Sequence, residues 1–178
     1  GINFMNIRGM QAAPNPTDLQ SPGDATGHYV SRAEHLLALG RPAARIALFH
    51  ATDTYWLGGA EAVDADATQL KLVTQLLQHQ LDFDHIDSDT LGASQIMASL
   101  SGAARDALLT NASGSGYEAV IIPSCTVIQK PVLEKLRTFS QAGGKVIFLG
   151  KTPTIVIDKT FLHPESAAPD LSFATRLE

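Results

Sequence analysis

A three-layer α/β domain built on a parallel sheet is predicted by three features of this 178-residue chain. Short apolar runs recur at Arg45-Ile46-Ala47-Leu48-Phe49-His50, Ala119-Val120-Ile121-Ile122 and Lys145 to Leu149. They lack alternation, as strands do when both faces are covered and neither meets water. Helical periodicity separates them, most plainly where Val132, Leu133, Leu136 and Phe139 share one stripe. The connections are short, and strands alternating with helices over short links imply parallel pairing through right-handed crossovers.

Residues 1 to 27 are rich in Gly, Pro, Asn, Asp and Gln and show no sustained period, so they read as an extended lead-in. Val30, Ala33, Leu36 and Leu37 fall at helical spacing from Tyr29 to Leu39. Ser31-Arg32-Ala33-Glu34 has the pattern of a capping box, and Gly40 followed by Pro42 supplies a stop. The first strand, residues 45–50, is followed by a loop from Ala51 to Ala60 and a helix from about Asp64 to Gln80. Leu70, Val73, Leu76 and Leu77 are its expected buried stripe, and Asp64 and Asp66 sit near its positive end.

The second strand runs from Leu81 to Ile86. Over residues 88–116, Ile96, Met97 and Leu100 suggest a helix, Ala107 to Thr110 a short strand, and Asn111 to Gly116 a turn-rich connector. The third strand, 119–122, is stopped by Pro123, which cannot donate to a ladder. Pro131 suits the first turn of the next helix and Gly143-Gly144 closes it before the fourth strand, Lys145 to Leu149. Thr154 to Ile157 is a candidate fifth strand. Residues 158–178, interrupted by Pro164 and Pro169, read as an outgoing linker or tail. The expected domain therefore covers residues 28–157, a flavodoxin-like three-layer sandwich with strand order 2-1-3-4.

A hydrophobic share of 44% and a charged share of 17% suit one domain with a substantial core and not a disordered segment. The formal charge of -5 and the scatter of the 13 Lys and Arg residues oppose a phosphate-tracking surface, so no nucleic acid is expected. No apolar run approaches the roughly 20 residues that span a bilayer, nor does a signal-peptide pattern stand out, so no membrane partner is expected. Cys125 is the single cysteine, which excludes an internal disulfide and a CxxC site. A chain starting at Gly1 and ending in Leu177-Glu178 is read as an excised fragment.

Ligands of open α/β sheets bind beyond the carboxyl ends of the strands, which here selects the segments 51–59, 87–92, 124–128 and 150–154. Cys125 is the candidate nucleophile of an alternative reading, a small cysteine-dependent hydrolase, because a thiol beside a helix N-terminus is acidified. Gly150-Lys151-Thr152 stands where related sheets carry a nucleophile elbow. Lysine cannot replace Cys or Ser there without different chemistry, so this is a degenerate elbow.

Thr52-Asp53-Thr54 is weakly similar to the hydroxyl-rich phosphate loop of a flavin-binding, flavodoxin-like module. Tyr55 stands where glycine would let amides approach the phosphate, so no cofactor is expected. Tyr55 and Trp56 are candidate carbohydrate contacts, since aromatic planes bury the C–H face of a sugar. Asp82, Asp84, His85, Asp87 and Asp89 form an acidic run that fits the EF-hand spacing poorly, so no metal is expected. HExxH, GxGxxG and GxxxxGK[ST] are absent.

One set of motifs carries a family likeness. It comprises Tyr29-Val30-Ser31-Arg32 with Leu36-Leu37 and Gly40, then Phe83-Asp84-His85-Ile86-Asp87 with Thr90-Leu91. It continues with Tyr117 to Pro123, Phe139, and Ala142-Gly143-Gly144-Lys145-Val146-Ile147. Over about residues 28–153 this order resembles the class I glutamine-amidotransferase-like domain that follows the catalytic barrel in family 106 α-L-rhamnosidase-like proteins. More distantly it resembles the trimerisation domain of family 42 β-galactosidases. The resemblance implies a fold that has lost its nucleophile and a structural or assembly role beside neighbouring domains of a parent glycoside hydrolase. It further implies a homo-oligomer, a carbohydrate partner, and a periplasmic or extracellular setting. Catalysis in such proteins belongs to barrel carboxylates, and a barrel needs about 250 residues, so no catalytic residue is assigned in this chain.

Overall fold

The computed structural model describes residues 22–39, 43–98, 107–158 and 168–177. The chain divides into two compact units, residues 1–43 and 44–178. Among its described residues the first forms the helix α1 (Pro22–Ala38), which begins earlier than the expected start at Tyr29. Ser31 to Glu34 therefore lies inside the helix and does not cap it. Tyr29 and Leu36 are exposed. The expected stop at Gly40 and Pro42 lies outside the described residues, as does the lead-in through Ser21.

The second unit runs in order through β1 (Ile46–Phe49), α2 (Thr52–Leu57), α3 (Gly59–Gln78), β2 (Phe83–Ile86), α4 (Ser88–Ala93), β3 (Gln95–Ala98), β4 (Ala107–Thr110) and β5 (Gly116–Tyr117). It continues with β6 (Ala119–Pro123), β7 (Val127–Gln129), α5 (Lys130–Gln141), β8 (Lys145–Leu149), β9 (Ile155–Ile157) and β10 (Thr175–Leu177). Five strands form the main sheet in the order β2-β1-β6-β8-β10, and every pair in it is parallel. The register sets Ile46 beside both Phe83 and Ala119, and Ala119 beside Lys145. The expected order 2-1-3-4 is the order found, with one further strand at its edge.

The centre of the sheet is dry: Ala47, Leu48, Phe49, Val120, Ile122 and Phe148 are buried. β8 alternates between buried Val146 and Phe148 and half-buried Ile147 and Leu149, and α5 packs against it. The stripe of α5 is the expected one, with Val132, Leu133, Leu136 and Phe139 all buried. Gly144, on entry to β8, is set against Phe139 so closely that a methyl group there would lie 2.2 Å from the ring. Its backbone N–H also donates to the Phe139 carbonyl at 2.9 Å.

Four expectations are corrected. Ile96 and Met97 belong to a strand, because β3 pairs antiparallel with β4; Leu100 lies outside the described residues. Thr154 to Ile157 does not join the main sheet; β9 pairs in parallel with β7 in a separate two-stranded sheet. The outer strand of the main sheet is Thr175–Leu177, in the segment read as an outgoing linker, of which residues 159–167 lie outside the described set. Finally, α3 buries Ala65 and Leu76, whereas Leu70 and Leu77 of the expected stripe face solvent.

Candidate functional site

The cleft sits where the chain leaves β1 and β6 in opposite directions, the position at which open α/β sheets bind ligands. The segment after β1 is helical as α2, and it inserts Asp53 and Thr54 into the protein while leaving Trp56 outside. Thr54 is a packing hub. Its hydroxyl oxygen accepts from the backbone N–H groups of Thr126 and Val127, both at 3.1 Å, and so ties α2 to the β6–β7 turn. Asp53, also buried, accepts from Gln129 Nε2 at 3.0 and 3.2 Å and from Ser88 Oγ at 3.2 Å. One carboxylate thus joins the ends of three chain segments, and its hydrogen bonds compensate for its removal from water.

Around Asp53 opens a cavity of about 230 Å³, lined by Thr52, Asp53, Trp56, Asp87, Ser88, Asp89 and Gln129. It shares Ser88, Asp89 and Gln129 with a second cavity of about 300 Å³ that extends toward Gly92 and Pro131. The indole of Trp56, 72% exposed, stands at one edge. Asp87 N-caps α4, accepting from the Thr90 N–H at 2.8 Å, and the Thr90 hydrogen bonds hold its carboxyl below the usual carboxylate range. The cleft therefore presents carboxylate acceptors, one amide and one aromatic plane.

The sequence-derived candidates separate in space. Trp56 lines the cleft, but Tyr55 points away from it: its ring stacks on His50 at 4.8 Å between centroids, and its hydroxyl donates to Gln69 Oε1 at 3.1 Å. Cys125 is fully buried, with its thiol donating to the Val127 carbonyl at 3.1 Å. Burial pushes that thiol up to about 12, and the nearby Asp53 charge adds to the effect. Its partners are Val127 and Thr54, not histidine, so the geometry gives the nucleophile reading no activated group.

The expected elbow is corrected: after β8 the chain passes through non-helical residues 150–154 into β9, so no strand-to-helix turn forms there. Gly150 adopts φ +79, and a methyl group there would lie 2.5 Å from Ser124 Oγ. Lys151 is exposed and forms ion pairs with Glu61 at 3.4 Å and Asp64 at 3.8 Å. Thr126 Oγ1 donates to the same Glu61 carboxylate at 2.6 Å, the main cause of its lowered pKa, so Lys151 crowns a surface network. A larger, mostly aliphatic groove of about 400 Å³ lies beside Gly150, between Leu149 and the α3 residues Ala67, Lys71 and Leu72.

The flavin alternative meets a similar obstacle. The N–H groups of Thr52, Thr54 and Tyr55 already donate to the carbonyls of His50 and Ala51, and a phosphate beside this loop would face the Asp53 carboxylate. The acidic run is dispersed too: Asp84 accepts from the Tyr117 hydroxyl at 3.0 Å, and Asp82 accepts from the Phe83 N–H. Among the described residues no group of three or more His, Cys, Asp or Glu could hold a metal ion. No described helix is long and apolar enough to cross a membrane.

Comparison with known proteins finds one likeness of part of the fold. No protein-family model matches the sequence, and no curated protein matches it. Among solved structures, the chain is similar to Gan42B, a GH42 β-galactosidase, with 14% identity and a TM-score of 0.47 over 78% of this chain. The match covers 18% of the Gan42B chain, so this sequence spans less than a fifth of that enzyme.

The contributions of Gln129 and Ser88 to the cleft were not visible in the sequence, since each lies far along the chain from Asp53 and belongs to no motif. Asp53 did carry a signal, as the acid within a hydroxyl-rich loop after a buried strand.

Proposed function

We propose that this chain is a noncatalytic accessory module of a multidomain glycoside hydrolase, whose cleft contributes a carbohydrate-facing rim. The observation that carries the reading is the pairing of an exposed Trp56 with a braced, buried Asp53 in a cleft without an activated nucleophile. Sugars present alternating C–H faces and hydroxyl groups, so an indole plane beside carboxylate and amide acceptors matches both parts of that surface. The sequence resemblance to accessory domains of large glycosidases supplies the setting. In it the module acts by position: a fixed wall orients substrate for carboxylates on a neighbouring domain without itself moving a proton.

Kinetics of a longer chain carrying the neighbouring catalytic domain test this reading. Trp56→Ala is expected to raise KM for an oligosaccharide about tenfold and to leave kcat and the KM for an aryl monoglycoside unchanged, since only uniform binding is lost. Residues 1–178 alone are expected to hydrolyse neither substrate. Turnover by the isolated chain that disappears on Cys125→Ala would overturn the proposal.

A further inference from the structure

We infer that the outward face of α3 is a self-association surface on which a second copy of this chain lays its own α3 antiparallel. Inward, α3 buries Ala65 and Leu76. Its opposite face carries Ala60, Val63, Ala67, Leu70, Thr74 and Leu77, whose spacing of three and four residues is that of a heptad seam. All six are exposed, with Val63 at 70%, Leu70 at 65% and Leu77 at 63%. Thr74 is no exception to the apolar character, because its hydroxyl donates to the Leu70 carbonyl of its own helix at 2.8 Å, leaving the methyl group to make contacts. The seam runs about 26 Å at a rise of about 1.5 Å per residue.

Side-chain size selects the occupant and its direction. The seam alternates small residues, Ala60, Ala67 and Thr74, with larger ones, Val63, Leu70 and Leu77. A parallel copy would set small against small and large against large, so the gap between the helices would vary layer by layer. An antiparallel copy, related by a two-fold axis between Thr68 and Gln69, sets Ala60 against the partner's Leu77, Val63 against the partner's Thr74 and Ala67 against the partner's Leu70. Each small residue then receives a large one, as close packing requires. The same register brings Lys71 alongside the partner's Asp64, whose Oδ2 also faces Lys151 of its own chain at 3.8 Å, so opposite charges meet at the seam's flank twice by symmetry. The antiparallel arrangement also opposes the two helix dipoles.

Sedimentation of the full chain, with cross-linking to define the register, tests the inference. The native chain is expected to form a dimer in the micromolar range. Leu70→Glu is expected to raise the dimer dissociation constant at least about tenfold with an unchanged circular dichroism spectrum, since the site is solvent-facing in the single chain. Mixing Ala60→Cys protein with Leu77→Cys protein is expected to give a disulfide-linked heterodimer, while each variant alone gives none, because like positions lie at opposite ends of the seam. A monomeric native chain, a dimer indifferent to Leu70→Glu, or cross-linking within either single variant would overturn the inference.

Discussion

In the folded chain Cys125 should react with a disulfide reagent at pH 8 about a thousandfold more slowly than in denaturant. The thiolate is the reacting species, and a thiol pushed from 9.0 to about 12 holds about a thousandfold less of it at that pH. The cause is structural: Cys125 is fully buried beside the carboxylate of Asp53, and its hydrogen bond runs to a carbonyl rather than to a cation. Labelling should therefore follow global unfolding, with a rate that rises steeply through the denaturant transition. Stoichiometric labelling within seconds under native conditions would reveal an accessible, acidified thiol and would revive the hydrolase reading.

Packing at the α5–β8 junction should show the largest stability effects. Phe139→Ala is expected to cost about 3–5 kcal/mol, because the ring is fully buried and its removal leaves a cavity under the sheet. Gly144→Ala is expected to cost about 1–3 kcal/mol by the opposite mechanism, overpacking, since the added methyl would meet the same ring. The two effects share one volume. Phe139→Leu combined with Gly144→Ala should accordingly be less destabilising than the sum of the single changes, and urea melts of the four proteins measure that coupling. Additive costs would mean that Gly144 and Phe139 do not compete for space.

Much of the scaffold is legible in the sequence. The buried strands β1, β6 and β8 declare themselves by apolar runs bounded by Gly and Pro, and α5 by a stripe that matches its buried residues one for one. β10 escaped because Thr175, Arg176 and Leu177 are all exposed at the sheet edge, so burial wrote no pattern into them. α3 misled for a physical reason: it is apolar on two faces, and periodicity cannot tell the face that packs inside from the face left outside. β3 escaped because Ile96, Met97 and Leu100 also fit a helical spacing, and only pairing with β4 decides between the two. The cleft was half visible. Trp56 was legible as a candidate, whereas the bonds from Ser88 and Gln129 to Asp53 depend on contacts between distant segments that local patterning does not encode.

The chain has one tryptophan, Trp56, so its intrinsic emission reports on the cleft alone. Titration with oligosaccharides is the most direct measurement of the carbohydrate-rim claim. A saturable blue shift is predicted, as a sugar ring covers an indole that is otherwise 72% exposed. Emission unchanged by every oligosaccharide up to its solubility limit, with no heat of binding in parallel calorimetry, would contradict it.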